Sequence, residues 1–358
     1  MDKRVIFAVA GSGKTSSIID SLSADSRCLI VTYTDNNTRH LKNRVIKKFG
    51  KIPLGIRIYS YFTFLYSFCF RPICGYELKT KGINFNFPLP QYTQGSKKNT
   101  REHYIDRSGR LYASRIAKLL IEFEAIPDVI QRVEKFYDSV FFDEVQDFAA
   151  NDFNLICCLS KANLDIRLVG DFYQHTFDTS RDGNTQKSLH ECFDKYCAKL
   201  DKAGFEVDLT SLSNSYRCSP SVCSFVSKNL GIDILSYRKD EVVVEYVDNV
   251  TEIDLIFNND SVVKLFYQKS DNYGGNTANW GNTKGLDHFQ DVCVVLNPTT
   301  LKAFDSSTLD KLNPTTKNKL YVACTRAKGN LYFVPEKLLK IYQLSNQGVS
   351  QLDTLINH

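Results

Sequence analysis

Short apolar runs alternate with amphipathic stretches along the first half of the chain. Val5-Ile6-Phe7, Cys28-Leu29-Ile30-Val31-Thr32-Tyr33-Thr34, Ile56-Arg57-Ile58-Tyr59, Ser139-Val140-Phe141-Phe142 and Ile166-Arg167-Leu168-Val169 are rich in β-branched residues, as strands buried on both faces require. Between them the period lengthens. Leu41, Val45 and Ile46 fall on one helical face, opposite Arg39, Lys42, Arg44, Lys47 and Lys48, with Asn36 or Asn37 placed to cap that helix. Leu111 to Ala125 and Asp128 to Phe136 also repeat at helical spacing. Strands alternating with helices predict an α/β fold built on a parallel sheet covered on both sides.

Near residue 205 the cycle begins again. Val207-Asp208-Leu209-Thr210, the helix Pro220 to Leu230, Val242-Val243-Val244, Val262 to Tyr267, Val292 to Leu296 and Leu331 to Val334 predict a second α/β sheet. The chain therefore divides into domains 1–204 and 205–358. An insertion at about 70–135 interrupts the first, and from 70 to 110 its pattern loosens into Pro, Gly, Asn and Lys, as a mobile loop does. Gly274 to Asn282 reads as a polar loop between two strands of the second sheet.

Composition adds boundaries. A chain of 358 residues with 43% hydrophobic and 24% charged residues suits two globular domains. No apolar run approaches the roughly 18 residues of a membrane span, and no signal-peptide pattern opens the chain, so a cytoplasmic protein without a membrane partner is expected. The 11 cysteines lack zinc-site spacing and read as reduced and mostly buried. A net charge of +5 permits a nucleic-acid partner without requiring one.

The chemistry gathers at the ends of the strands. Ala8-Val9-Ala10-Gly11-Ser12-Gly13-Lys14-Thr15 follows the first apolar run and precedes a helix. A Gly-rich strand-to-helix turn offers backbone N–H groups to phosphates, Lys14 reaches the β- and γ-phosphates, and the Thr15 hydroxyl ligates Mg²⁺. Ala8 stands where the motif usually has glycine. Phe141-Phe142-Asp143-Glu144-Val145-Gln146-Asp147 sets acids at the end of a buried strand, where Asp143 suits Mg²⁺ and Glu144 suits polarisation of the attacking water. Gln174, after Gly170-Asp171-Phe172-Tyr173, is placed to bond the γ-phosphate or the lytic water. Arg217 and Arg326, in Asn214-Ser215-Tyr216-Arg217 and Tyr321 to Lys328, are candidates to stabilise transition-state charge across a domain cleft.

Taken together these blocks resemble the superfamily 1 helicases of the UvrD/Rep type. Ala10 to Thr15 looks like motif I, Thr32-Tyr33-Thr34 with Asn36-Asn37 like motif Ia, and Asp143 to Asp147 like motif II. Val169 to Gln174 is similar to motif III, Asn214 to Arg217 to motif IV, Thr283-Lys284-Gly285-Leu286-Asp287 to motif V, and Leu320 to Lys328 to motif VI. The resemblance implies a P-loop NTPase with two tandem RecA-like domains, ATP and Mg²⁺ as cofactors, and 3′-to-5′ stepping along single-stranded DNA with separation of a tailed duplex. It places Ala10, Gly11, Ser12, Gly13, Lys14, Thr15, Asp143, Glu144, Gln174, Arg217 and Arg326 around the nucleotide, and Thr34, Thr283 and Lys284 near the strand.

Three features depart from the family pattern. The glutamine with which relatives read adenine does not precede the first strand, leaving ATP and GTP both open. The segment between motifs IV and V is too short for the large helical insertion of full-length relatives, which implies a minimal form. Gly274 to Asn282, with Trp280, stands where a histidine is usual. Phe62, Phe64, Tyr173, Phe177 and Trp280 are candidates to stack on bases, and Arg39, Lys42, Lys284 and Lys328 to meet phosphates. A second activity fits the same motifs: a nucleic-acid-stimulated ATPase subunit that licenses a protein partner such as a nuclease without unwinding. A small-molecule kinase would leave the two arginine motifs unexplained.

Overall fold

The computed structural model describes residues 1–176 and 185–344; Phe177 lies outside them. The chain forms two compact units, Met1–Ala8 with Gly13–Leu212, and Val9–Ser12 with Ser213–His358. Both carry the parallel-sheet α/β architecture expected of RecA-like domains.

In the first unit β1 (Lys3–Phe7), β2 (Cys28–Thr32) and β3 (Ile56–Ser60) are followed by a separate parallel pair, β4 (Ile83–Asn84) and β5 (Leu111–Tyr112). Then come β6 (Ser139–Asp143), β7 (Asp165–Gly170) and β8 (Glu206–Asp208). The main sheet is wholly parallel, in the order β3-β2-β6-β7-β1-β8. Successive residues of its strands serve opposite faces. Leu29, Val31 and Phe142 pack with Phe64, Leu120 and Phe153, whereas Ile30 and Phe141 pack with Ile18, Leu41 and Val45. Runs without polar alternation are thus explained by two buried faces.

Helix α1 (Lys14–Asp20) leaves the phosphate loop, and α2 (Asp35–Phe49) comes after β2. The cap of α2 is Thr34, whose Oγ1 accepts from the N–H of Asn37 at 3.1 Å, rather than Asn36 or Asn37; both of those lie inside the first turn. Ile46 is exposed, because only Leu41 and Val45 reach the sheet. The basic face of α2 is partly structural. Lys48 Nζ donates to the carbonyls of Ile19 and Leu22 at the end of α1, and Arg44 donates to Ser16 Oγ.

In the second unit β9 (Asn214–Ser215) pairs with β10 (Leu235–Ser236). The main sheet, again parallel, has the order β11-β15-β14-β12-β13, with β11 (Val244–Tyr246), β12 (Val262–Phe266), β13 (Thr277–Asn279), β14 (Asp291–Leu296) and β15 (Leu331–Pro335). The helix Pro220–Leu230 starts as its sequence predicts, with Pro220 in its first turn and the Ser219 side chain accepting from Val222 N–H.

Several elements differ from expectation. Val207 does not open the second sheet: β8 pairs with β1, Val5 opposite Val207, and so covers what would be an exposed edge of β1. The expected Val242 strand begins at Val244; the exposed Val243 gives its N–H to Asn330 Oδ1, while its carbonyl accepts from Leu331 N–H at the start of β15. Leu111 to Ala125 is not one helix; β5 precedes a turn at Ala113–Arg115 and the helix Ile116–Glu122. That helix and Ile126–Phe136 bury Leu119, Leu120, Val129 and Val133 in the core beneath the sheet, so much of the stretch assigned to an insertion is part of the domain body. Between residues 64 and 78 the crowded aromatics form a wide-turned π-helix, Phe64–Phe70, that runs into the helix Arg71–Leu78. Gly274 to Asn282 is not merely a loop, since β13 extends the sheet beside β12.

All 11 cysteines are free thiols, buried or half-buried. Among the described residues no helix is long and apolar enough to cross a membrane.

Trp280 has no exposed surface, and its Nε1 donates to the Leu265 carbonyl at 2.8 Å. It is the only tryptophan. The intrinsic tryptophan emission should therefore be blue-shifted, resistant to iodide quenching and unchanged by a saturating oligonucleotide. An Ala substitution at Ser219 should destabilise the second unit by about 1 kcal/mol, measured by chemical denaturation.

Candidate active site

Within the first unit, β1, β7 and β6 lie side by side and end at one edge of the sheet. Each end carries a functional group. At the end of β1 the N–H of Ala8 still bonds the Gly170 carbonyl of β7 at 2.8 Å, and the chain then turns into α1 through Gly13, whose φ of 87° is one that side chains resist. Lys14 and Thr15 stand in the first turn of α1.

Asp143 ends β6, in register with Thr32 on one side and Val169 on the other, and is buried. Burial, and after it the neighbouring Glu144, push its carboxyl up to about 7 against the opposing charge of Lys14. Lys14 Nζ lies 3.5 Å from Glu144 Oε2, with both side chains largely buried. Glu144 itself adopts φ 58°, ψ 49°, a left-handed conformation that costs a non-glycine residue roughly 1 kcal/mol. Its carboxylate faces Lys14.

These residues fit a magnesium nucleotide. The donor set is a lysine, a helix-opening turn with a positive-φ glycine, a hydroxyl and a buried strand-end carboxylate, and Ser12 Oγ and Thr32 Oγ1 are buried without protein partners. Among the described residues no group of three or more His, Cys, Asp or Glu side chains is arranged to hold a metal alone.

Gln174, beyond β7, is buried and donates through Nε2 to Asp171 Oδ2 at 2.9 Å. The structure adds a residue to which the sequence assigned no role. Gln146 is fully buried; its Nε2 donates to Glu144 Oε2 at 2.5 Å and its Oε1 accepts from the N–H of Asp171 at 3.0 Å. The signal was present in the string Asp143-Glu144-Val145-Gln146-Asp147, but its partner 25 residues away was not legible.

Within the second unit, Ala10 and Gly11 are held by the residues singled out around Arg217 and Arg326. The N–H of Ala10 donates to Tyr321 Oη at 2.8 Å, Ser215 Oγ donates to the Ala10 carbonyl at 2.7 Å, and Tyr216 N–H donates to the Gly11 carbonyl at 2.9 Å. Gly11 has φ 73°, and a Cβ there would stand 2.6 Å from Arg217 Cβ. Arg217 donates to the Thr325 carbonyl at 3.2 Å and pairs with Asp287. Arg326 is buried. Its Nε and Nη1 donate to the carbonyls of Val322 and Leu286, at 3.2 and 3.0 Å. Burial and the nearby Arg217 lower its guanidinium to about 10, still charged at neutral pH. Beside Arg217, the rings of Tyr216 and Tyr237 stack at 4.3 Å and are both exposed.

The nucleic-acid candidates divide. Thr34 and Phe62 line one groove of about 410 Å³ in the first unit, with Tyr33, Tyr66 and Phe85. Phe85 is 61% exposed and packs edge-on against Phe62 at 4.9 Å. Tyr173 is half-buried against Phe172 and Phe193. Phe64 is core, stacked on Phe68. In the second unit Lys284 is half-buried. Trp280 and Thr283 cannot meet a strand where they are: both are fully buried, and Thr283 Oγ1 donates to the Trp280 carbonyl at 2.7 Å. Offered by the sequence as a stacking candidate, Trp280 instead anchors the turn that follows β13.

No family model matches the sequence, and no curated protein matches it. Similar solved structures include three viral helicases. The PRRSV helicase is 14% identical with a TM-score of 0.47, over 93% of this chain and 52% of that one. An arterivirus nonstructural protein 10 helicase is 14% identical at TM-score 0.49, over 96% and 62%. An arterivirus nonstructural protein 10 helicase in complex with DNA is 15% identical at TM-score 0.48, over 99% and 63%. The chain thus spans between 52% and 63% of the length of these proteins.

Proposed function

We propose that the chain hydrolyses a nucleoside triphosphate, ATP in the first instance, and uses the cycle to step 3′ to 5′ along single-stranded DNA and separate strands. The observation that carries this reading is the edge where Lys14, Asp143 and Glu144 meet, the lysine 3.5 Å from the glutamate at the end of a parallel sheet. In this reading the loop N–H groups and Lys14 bind the phosphates, and Thr15 and Asp143 hold Mg²⁺, which supplies charge neutralisation on the phosphate oxygens when bound. Glu144 orients the attacking water and accepts its proton, Gln174 bonds the γ-phosphate or that water, and Arg217 and Arg326 stabilise the developing charge. The groove of Thr34, Phe62 and Phe85 takes bases of the single strand by stacking.

One observation favours the second reading, a nucleic-acid-stimulated ATPase that licenses a partner such as a nuclease. Between Arg217 and Thr283 the chain is occupied by the helices Pro220–Leu230 and Val250–Asn258 and by short strands of its own sheets, with no additional helical domain to engage a duplex. Displacement of a 3′-tailed duplex by the purified protein alone would remove this reading, and turnover without displacement would establish it.

The first test is turnover of ATP and of GTP with and without single-stranded DNA or RNA, where stimulation by DNA is expected. Replacing Glu144 by Gln should lower kcat by at least about a hundredfold while nucleotide binding persists; turnover at the parental rate would sink the assignment. Phe85→Ala and Phe62→Ala should each weaken oligonucleotide binding by roughly 1 to 3 kcal/mol in fluorescence anisotropy, with DNA-independent ATPase retained.

A further inference from the structure

The hydrogen bonds around Gln146 form a closed set that neither the nucleotide nor the nucleic-acid reading uses. Resting on the hydrolysis reading, we propose that Gln146 is a positioning residue, a buried clamp that locks the Glu144 carboxylate and the Gln174-bearing turn into one rigid unit.

Each polar atom of Gln146 has one task. Nε2 donates to Glu144 Oε2, the oxygen that also faces Lys14. Oε1 accepts from Asp171 N–H, and the Gln146 carbonyl accepts from His175 Nδ1 at 2.8 Å, which places that ring's proton on Nδ1. Asp171 in turn accepts from Gln174 Nε2 through Oδ2 and from Tyr173 N–H through Oδ1, at 2.9 and 3.2 Å. Glu144 and Gln174, far apart in the chain, are therefore joined by an unbroken run of bonds through Gln146 and Asp171.

Packing leaves the clamp no slack. A Cβ on Gly170 would lie 2.3 Å from Gln146 Oε1 and 2.7 Å from Val145 Cγ1, so only glycine lets the end of β7 approach this amide. The Val145 carbonyl is held by the buried Tyr196 hydroxyl at 3.2 Å. A glutamine serving only to fill space would not need both ends of its amide matched to a donor and an acceptor. An amide reversed end for end would set a carbonyl against the Glu144 carboxylate and an NH₂ against Asp171 N–H.

The clamp predicts that Glu144 loses its aim, and not its nucleotide, when Gln146 is altered. Gln146→Met keeps the volume and removes both bonds. Gln146→Glu keeps the acceptor for Asp171 N–H and removes the donor to Glu144. Both variants should lower kcat for ATP about ten- to a hundredfold, the scale of a lost hydrogen bond to a charged group, with KM within about twofold and an unchanged far-ultraviolet spectrum. Gln146→Met with parental kcat, or with KM raised in step as kcat falls, overturns the proposal. A second measurement needs no turnover and no folded variant of Gln146. In ¹⁵N-labelled protein the Gln146 side-chain amide protons should exchange slowly with solvent and shift when Glu144 is replaced by Gln. Exchange at the rate of a free glutamine, or no shift, also overturns it. Wild-type protein that turns over no nucleotide refutes the hydrolysis reading instead, and the amide signals then decide the clamp alone.

Discussion

The end of β6 sets two adjacent carboxylates side by side, Asp143 buried and Glu144 half-buried, and the residues around them supply the opposing charge. Asp143 is driven toward its protonated form by burial and by Glu144, and Lys14 is the cation that opposes this. A lysine can fill that role only if α1 begins where β1 ends, which requires a tight turn with positive-φ glycine at Gly13. The Glu144 backbone accepts a left-handed conformation to turn its carboxylate toward Lys14. Local cost at Gly13 and Glu144 is thus tied to a single electrostatic requirement. A buried acid whose pKa is shifted by burial, a like charge and one lysine is the kind of group that clusters at functional sites.

The parts of this arrangement that depend on the chain's own neighbours were legible in advance. β2, β6 and β7 were predicted nearly to the residue because a strand buried on both faces has no reason to alternate, and Leu29 and Ile30, consecutive in sequence, do enter different cores. The acids at the end of β6 and the loop after β1 were legible because a strand end fixes where the next few residues lie. The helix Pro220–Leu230 was predicted with its bounds, and Ser219 and Pro220 give its start the expected cap. The features that escaped were decided by distant partners. β8 belongs to the first sheet because β1 lacked a neighbour, and nothing in Val207-Asp208 records that vacancy. Trp280 lay in a stretch of Gly, Asn and Thr, yet the Leu265 carbonyl claims its indole N–H. Gln146 read as an unremarked member of an acidic string, because Asp171 meets it only when β6 and β7 lie side by side.

The groove in the first unit shows the same division at the level of function. Thr34 was singled out as a strand contact and Phe62 as a stacking ring, and both line one concavity. Thr34 is also the cap of α2, so its hydroxyl has a structural occupation and the backbone around it is fixed by the helix start. Phe85 was missed because it sits in the loosened stretch where the pattern carries no period. An aromatic left exposed beside a second ring, at the mouth of a groove floored by Tyr33 and Tyr66, has no role in the core.

The two arginines of the second unit looked equivalent in sequence and are not equivalent in surroundings. Arg217, itself largely buried, is paired with the exposed Asp287 carboxylate and with one carbonyl. Arg326 is surrounded by neutral carbonyls of Val322, Leu286 and Thr283 in the interior, and its charge is already disfavoured by burial and by Arg217. Freeing Arg326 would strand several buried carbonyls, whereas freeing Arg217 costs one carbonyl bond and its pairing with a solvent-facing carboxylate. The same segment carries a further constraint, since Thr325, whose carbonyl Arg217 grips, is itself bonded through its hydroxyl to Tyr321. Arg326 is therefore tied into the interior of the Tyr321 to Arg326 turn, whereas Arg217 is held by one carbonyl of that turn and by a carboxylate that faces solvent.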